Sequence, residues 1–182
     1  MGKKALLVID IQNDYFEKGA WELVGSKEAS IQARKLMAYF RANNLPIVNI
    51  QHIAADVRAP FFQPNTFGVE IHENVRPLEG EKVIQKNYPN SFRDTELLNY
   101  LNSNDVTELV ITGMMSHMCV DATTRAAKDL GFECTVIADA CASRDLELGG
   151  KTVKADDVHT AFISALTFFY ATVTTTDEYI NA

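Results

Sequence analysis

Residues 108 to 138 read "ELVITGMMSHMCVDATTRAAKDLGFECTVIA". Two short, β-branched apolar runs, "ELVIT" (108–112) and "CTVIA" (134–138), flank a segment in which Val120, Thr123, Ala127 and Leu130 recur at helical spacing. Gly131 stands where such a helix would close. A strand, a helix and a strand in so short a span form a βαβ unit, whose two strands lie parallel.

The same alternation runs through the rest of the chain. Further strands are predicted at "ALLVI" (5–9), "PIVNI" (46–50), "KVIQ" (82–85) and "ATVTT" (171–175). Between them, Ala29, Ala33, Leu36, Met37 and Phe40 form one helical face before the break "NNLP". Leu97, Leu98 and Leu101 form another after Asp94, a candidate N-cap. Val158, Phe162, Ala165, Leu166 and Phe169 form a third. Six strands separated by helices predict an α/β fold: a three-layer, doubly wound, mainly parallel six-stranded sheet of Rossmann-like topology. At 182 residues the chain is expected to be a single domain over 1–182. The one long irregular stretch, 51–80, is rich in Pro, Phe and His, and such loops are usually functional or disordered.

Composition removes several function classes. With 47% hydrophobic and 23% charged residues the chain has the make-up of a soluble globular domain. A net charge of -7 opposes binding to a phosphate backbone, so no nucleic-acid partner is expected. No apolar run is long enough to suggest a membrane span, and Asp10 interrupts the opening "MGKKALLVIDIQND" too early for a signal-peptide core. A cytoplasmic location follows as the expectation. Cys119, Cys134 and Cys141 cannot all pair, and their spacing matches neither a disulfide framework nor a zinc motif.

Open parallel sheets bind ligands outside the carboxyl ends of their strands. By that rule Asp10, His52, Lys86 and Cys119 gather at one edge, each just after a predicted strand. A thiol, a carboxylate able to take its proton and an ammonium beside them are the parts of an activated nucleophile. A cysteine at the mouth of a helix and near a lysine is expected to favour thiolate. Each residue also has a plain structural reading: a buried cysteine as a small hydrophobe, which Cys134 and Cys141 fit, an aspartate capping a loop, a lysine on the surface. Convergence of three such residues favours the chemical reading.

At these residues the chain resembles the isochorismatase-like cysteine hydrolases, which include nicotinamidases, N-carbamoylsarcosine amidases and streptothricin hydrolases. The resemblance rests on "LLVIDIQNDYF", "VIQKNYPNSF", "LVITGMMSHMCVDATTRAAKDLGF", "VIADACAS" and "VHTAFISAL", and so covers nearly the whole length. It implies Asp10 as general base and acid, Lys86 as cationic partner and Cys119 as nucleophile. It further implies a non-proline cis peptide between Met114 and Met115, with the N–H groups of Met115 and Cys119 as an oxyanion hole. The implied reaction on a small-molecule substrate is hydrolysis of a C–N bond in an amide, lactam or ureide through a thioester, without a cofactor. Alternatives are nicotinamidase or isochorismatase activity within the family, or a non-catalytic thiol-bearing binding domain.

Two departures bear on these alternatives. Nicotinamidases bind a metal through an Asp-x-His pair and a further His after the second strand, whereas "NIQHIAADVRAPFF" supplies only His52 and Asp56, with His72 distant. No metal is therefore expected. Isochorismatases proper, which cleave a vinyl ether, lack the cysteine that is present here. Among residues that could touch substrate, His117 lies two positions before the nucleophile, Tyr88 and Phe92 follow Lys86, and His52 shares the edge. Phe16, Trp21, Phe61 and Phe62 could line a pocket or be ordinary core, and His159 reads as a packed, hydrogen-bonded histidine. The resemblance also implies a homo-oligomer. In "RAPFFQPNTFGVEIH", Phe61, Phe62 and Phe67 either meet a second chain or fold onto their own domain.

Overall fold

A computed structural model describes residues 2–182. Six strands form one sheet: β1 (Lys3–Ile9), β2 (Ile47–His52), β3 (Lys82–Lys86), β4 (Val106–Met114), β5 (Glu133–Ala142) and β8 (Thr172–Thr174). Their spatial order is β3-β2-β1-β4-β5-β8, and every adjacent pair is parallel. The chain winds outward from β1 in one direction and from β4 in the other, which makes the β1/β4 junction the topological switch point. All six predicted strands form, with shifted ends: β5 runs on to Ala142, and β8 is shorter than predicted.

Both faces of the sheet are covered, and this is why the strands read as unbroken apolar runs rather than alternating ones. In β1 the pleat sends Leu6 and Val8 into a core with Ala33, Leu36, Met37 and Phe40 of α1 (Ser26–Ala42). Ala5, Leu7 and Ile9 point the other way. They meet Leu97 and Leu101 of α2 (Leu97–Ser103), Ala127 of α3 (Asp121–Asp129), and Ile163 and Leu166 of α4 (Ala155–Leu166). The closing helix α5 (Thr176–Asn181) starts with a capping box between Thr175 and Glu178.

Several local expectations are corrected. The N-cap of α2 is Glu96, because Asp94 adopts a left-handed φ of 54° two residues too early. On α4 the buried positions are Ala155, Val158, Ile163 and Leu166, while Ala165 faces out. Phe169 lies beyond the last helical turn, where the 3.6 period no longer governs, and is 62% exposed. A two-stranded hairpin, β6 (Leu146–Leu148) with β7 (Lys151–Val153), stands apart from the main sheet and adds to the six predicted strands. In the 53–81 connection Phe62 is fully buried and Phe61 stacks on Trp21 of the same chain at 5.1 Å. These two rings therefore fold onto their own domain, and only Phe67 of the three is exposed. Among the described residues no helix is long and apolar enough to cross a membrane.

Candidate active site

Asp10, His52, Lys86 and Cys119 meet at the carboxyl edge of the sheet, beside the switch point. Asp10 is the first residue past β1, and its φ of 51° turns the chain out of the strand. Gly113, with φ 138°, lies in β4 where a Cβ would collide with the Ile9 carbonyl, so only glycine lets the two strand ends approach this closely. The Met114–Met115 peptide that follows is cis. Ser116–Val120 then form a π-helical turn leading into α3, with Met118 and Val120 N–H groups donating to the Met115 carbonyl at 3.0 and 3.3 Å. Cys119 sits inside this turn, 4% exposed.

The centre of the site is an ammonium. Lys86 Nζ lies 2.7 Å from Asp10 Oδ2, 3.0 Å from His52 Nδ1, 3.0 Å from the Tyr88 carbonyl and 3.3 Å from Cys119 Sγ. Four acceptors surround a group with three protons, and the Asp10 and Lys86 side chains are both sealed from solvent. Asp10 Oδ1 is buried without a hydrogen-bond donor, which leaves an open acceptor beside the thiol. Burial alone would lower the Lys86 pKa, but Asp10 and Cys119 outweigh it and raise it. Burial lowers the pKa of His52, so its imidazole is neutral and Nδ1 accepts from the ammonium.

The thiol departs from expectation. Burial raises the pKa of Cys119, Asp10 raises it further, and Lys86 opposes both without winning. The reason is a charge count: Asp10 already neutralises Lys86, so a thiolate would leave one net negative charge in a dry site. The resting group is the thiol. Passing its proton to Asp10 inside the cluster, by contrast, leaves the net charge unchanged.

The donor atoms of Asp10, His52 and Cys119 lie within 4.8 Å of one another, a spacing that would suit a metal ion. Lys86 Nζ contacts all three and supplies the positive charge at that point. The other residues weighed as ligands are engaged elsewhere. Asp56 pairs with Arg58 at the surface, and His72 stacks on Phe16 at 3.6 Å while its Nδ1 accepts from Asn74 N–H.

Over this edge lie Tyr15 and Phe62, with ring centroids 4.7 Å apart, and Phe62 is 5.7 Å from the His52 ring. Burial, then Cys119 and Asp10, raises the Tyr15 pKa, placing its hydroxyl in the same electrostatic neighbourhood. Outward from here a cleft of about 500 Å³ opens between Trp21, Phe61, Met115, His117, Arg144 and the β6–β7 hairpin. His117 therefore does line the cleft, with Nδ1 2.7 Å from Ser143 Oγ. The other three candidates for substrate contact are placed elsewhere. Tyr88 offers its carbonyl to Lys86 while its ring lies under the Arg93 guanidinium at 3.7 Å, and Phe92 packs on Phe132 in the α2–α4 core. His52 braces Lys86 rather than reaching the cleft. His159 is half-buried with Nδ1 2.8 Å from Ser116 Oγ, which ties α4 to the turn that carries Cys119. Of the aromatic residues that could line a pocket or be ordinary core, Trp21 and Phe61 line the cleft, whereas Arg144 carries no signal in the sequence, since it follows "ADACAS" with no motif of its own.

Comparison with known proteins agrees with this architecture. A profile of the Isochorismatase domain matches residues 4–178. The isochorismatase family protein YddQ of Bacillus subtilis is 52% identical over 97% of this chain and 98% of its own. A streptothricin hydrolase of Streptomyces noursei is 35% identical over 79% of this chain and 51% of its own. A crystal structure from Oleispira antarctica, assigned to the isochorismatase hydrolases, superposes with a TM-score of 0.95 at 50% identity, covering 100% of this chain and 97% of that one. With its sheet order, its strand-end cluster and these identities, the chain belongs to the isochorismatase family of hydrolases.

Proposed function

We propose that the protein hydrolyses a C–N bond of a small amide, lactam or ureide with Cys119 as nucleophile. The observation that carries the reading is the buried contact of Lys86 Nζ with both Asp10 and Cys119, at 2.7 and 3.3 Å. Asp10 takes the thiol proton as sulfur attacks the substrate carbonyl, so a C–S bond forms while the carbonyl π electrons move onto oxygen. The N–H groups of Met115 and Cys119 hold that oxyanion. Collapse of the adduct breaks the C–N bond, Asp10 returns its proton to the departing nitrogen, and a thioester remains. Water then attacks the thioester, with Asp10 again accepting the proton and delivering it to the released sulfur. Throughout, Lys86 keeps its charge and holds Asp10 and the sulfur in register. No cofactor enters the scheme.

The relative named streptothricin hydrolase supports a hydrolytic role, and a soft thiolate nucleophile suits acyl transfer better than vinyl-ether cleavage. A panel of primary amides, lactams and ureides assayed for ammonia or amine release, with Cys119→Ala as control, tests the reading. Turnover on at least one member that is lost in Cys119→Ala is expected; no turnover by a normally folded protein on any member would overturn it. The proposal places the chain in the cytoplasm, where its three unpaired cysteines stay reduced, and in a homo-oligomer. Support for the oligomer is the apolar tip after α4, where Phe168 is 93% and Phe169 62% exposed. A fully active monomer by light scattering at micromolar concentration would refute that part.

A further inference from the structure

Resting on the C–N hydrolase reading, we propose that His117 is a fixed hydrogen-bond donor to the substrate, held in its Nε2–H form by Ser143. The substrate then carries a second carbonyl close to the scissile one, as a cyclic imide does. His117 belongs to the same turn as Cys119 and lines the cleft beside Met115, whose N–H is part of the proposed oxyanion hole. A group on its ring therefore meets substrate atoms near the reacting carbonyl.

The tautomer follows from counting protons. Ser143 is 2% exposed, and the contact of its Oγ with His117 Nδ1 at 2.7 Å is the only hydrogen bond its side chain makes among the described residues. If Nδ1 carried the proton, the serine hydroxyl would have no acceptor and would lie orphaned in the interior, a loss that buried polar groups avoid. The Ser143 hydroxyl therefore donates to Nδ1, and the single proton of the neutral ring sits on Nε2. The adjacent pair is arranged the other way round. Ser116 Oγ donates to the Ala142 carbonyl at 3.1 Å, so at 2.8 Å it is left to accept from His159 Nδ1. Two serine–histidine contacts at consecutive residues of one turn thus hold opposite tautomers, and His117 is the one that faces the cleft.

Nε2 of His117 has no partner among the described residues and is not sealed from solvent, so its N–H is open to the cleft. The ring is not free to turn. Ser143 holds Nδ1 and is itself pinned by its carbonyl, which accepts the Val24 N–H at 3.0 Å, while the Phe162 ring of α4 packs edge-on with centroids 5.9 Å apart. Burial and the Arg144 guanidinium both lower the His117 pKa, so the imidazole stays neutral. A neutral, pre-oriented N–H suits a neutral acceptor such as a carbonyl. A simple lactam has one carbonyl, which the oxyanion hole takes, and so leaves the Nε2–H unpaired. A compound with a second carbonyl satisfies both, and this narrows the class of C–N substrates.

Two measurements test this. In isotope-labelled protein, long-range proton–nitrogen correlation spectra distinguish the two imidazole tautomers, with the His117 signals assigned by their loss in His117→Leu. A protonated Nε2 and a bare Nδ1 are expected, and Ser143→Ala should raise the Nδ1–H fraction. A bare Nε2 overturns the proposal, and a tautomer that ignores Ser143→Ala removes Ser143 from it. Next, Cys119→Ala protein is titrated with succinimide against pyrrolidinone and glutarimide against piperidinone, pairs that differ by one carbonyl. Trp21, the only tryptophan of the chain, lines the same cleft, so its fluorescence reports occupancy. At least one imide is expected to bind about 3- to 10-fold more tightly than its lactam. His117→Leu should erase that preference while changing the lactam by no more than about 2-fold, and His117→Gln, which keeps an N–H donor, should restore part of it. Circular dichroism of each variant confirms the fold. Equal affinity within both pairs, no binding by either imide, or a preference that survives His117→Leu overturns the proposal. Neither measurement requires turnover, so the two readings fail separately. His117-dependent imide binding by a wild type that hydrolyses no C–N bond leaves the donor standing and removes the hydrolase reading. Hydrolysis of imide and lactam alike, indifferent to His117→Leu, does the reverse.

Discussion

Gln12 and His52 bond to each other twice: Gln12 Nε2 donates to the His52 carbonyl at 2.9 Å, and the His52 N–H donates to Gln12 Oε1 at 2.8 Å. The ladder between β1 and β2 ends where Asp10 turns into a left-handed conformation, and the amide side chain of Gln12 continues it beyond that point. Nε2 also donates to the Val69 carbonyl at 2.7 Å, which pins the long connection to the same edge.

Gln12→Leu should therefore be costly. It deletes three hydrogen bonds and leaves the backbone N–H and carbonyl of His52 unpaired, at about 1–3 kcal/mol for each orphaned group, while the Val69 carbonyl keeps its bond from Gln51 Nε2 at 3.0 Å. A drop of about 2 kcal/mol or more in urea unfolding is expected, with reduced turnover because Asp10 and His52 lose their brace. Unchanged stability would show that water replaces the amide.

The thiol offers a second test. Because burial and Asp10 raise its pKa, alkylation of native Cys119 by iodoacetamide should be slow at neutral pH and still climbing above pH of about 9. Cys134 and Cys141, pushed up to about 12 by burial, should be slow as well. Asp10→Asn removes a charge that raises the Cys119 pKa, so it should speed labelling while abolishing turnover; Lys86→Met should slow labelling. Peptide mass spectrometry resolves the three sites. A Cys119 that labels fully at mildly acidic pH would contradict the charge count.

The buried pair makes a third prediction. Lys86→Met strands the Asp10 carboxylate and should cost about 3–5 kcal/mol, whereas Asp10→Asn with Lys86→Met should recover much of that loss and remain inactive. The sign with pH follows from the raised Lys86 pKa. Its stabilising contribution is complete below the ordinary lysine value of 10.5 and fades only as pH climbs through the higher folded value. Urea melts from pH of about 7 to 11 should show wild type losing stability over Lys86→Met only at the alkaline end.

Metal removal is the fourth. With Lys86 supplying the cation among Asp10, His52 and Cys119, activity should survive dialysis against EDTA. Loss of activity that zinc, iron or manganese restores would overturn this.

The parts of the site differ in how far the sequence reveals them. Asp10, Lys86 and Cys119 are legible because each ends or follows an apolar strand, and the sheet's winding carries those ends to one edge. The charge state of Cys119 is not, since it depends on how completely Tyr15 and Phe62 cover the edge, and loop closure has no periodicity to read. The cleft is hidden for the same reason. Trp21, Phe61 and Arg144 lie on three separate connections, and nothing in their spacing announces that they converge. Phe169 misleads in a simpler way, because a helical period extrapolated past Leu166 assigns it a buried face that the ended helix no longer has.

The β6–β7 hairpin gives the molecule a division of labour. The proposed reaction chemistry is fastened to strand ends in the main sheet, where a backbone shift would disturb the partners of Lys86. One side of the cleft hangs instead on residues 146–153, a detached ribbon that turns at Gly149 and Gly150 and, among the described residues, pairs only with itself. Sequence and length can drift there without moving Asp10, Lys86 or Cys119. The ribbon is thus an exchangeable cassette, through which one unaltered centre, the proposed site of hydrolysis, can be fitted to new molecules.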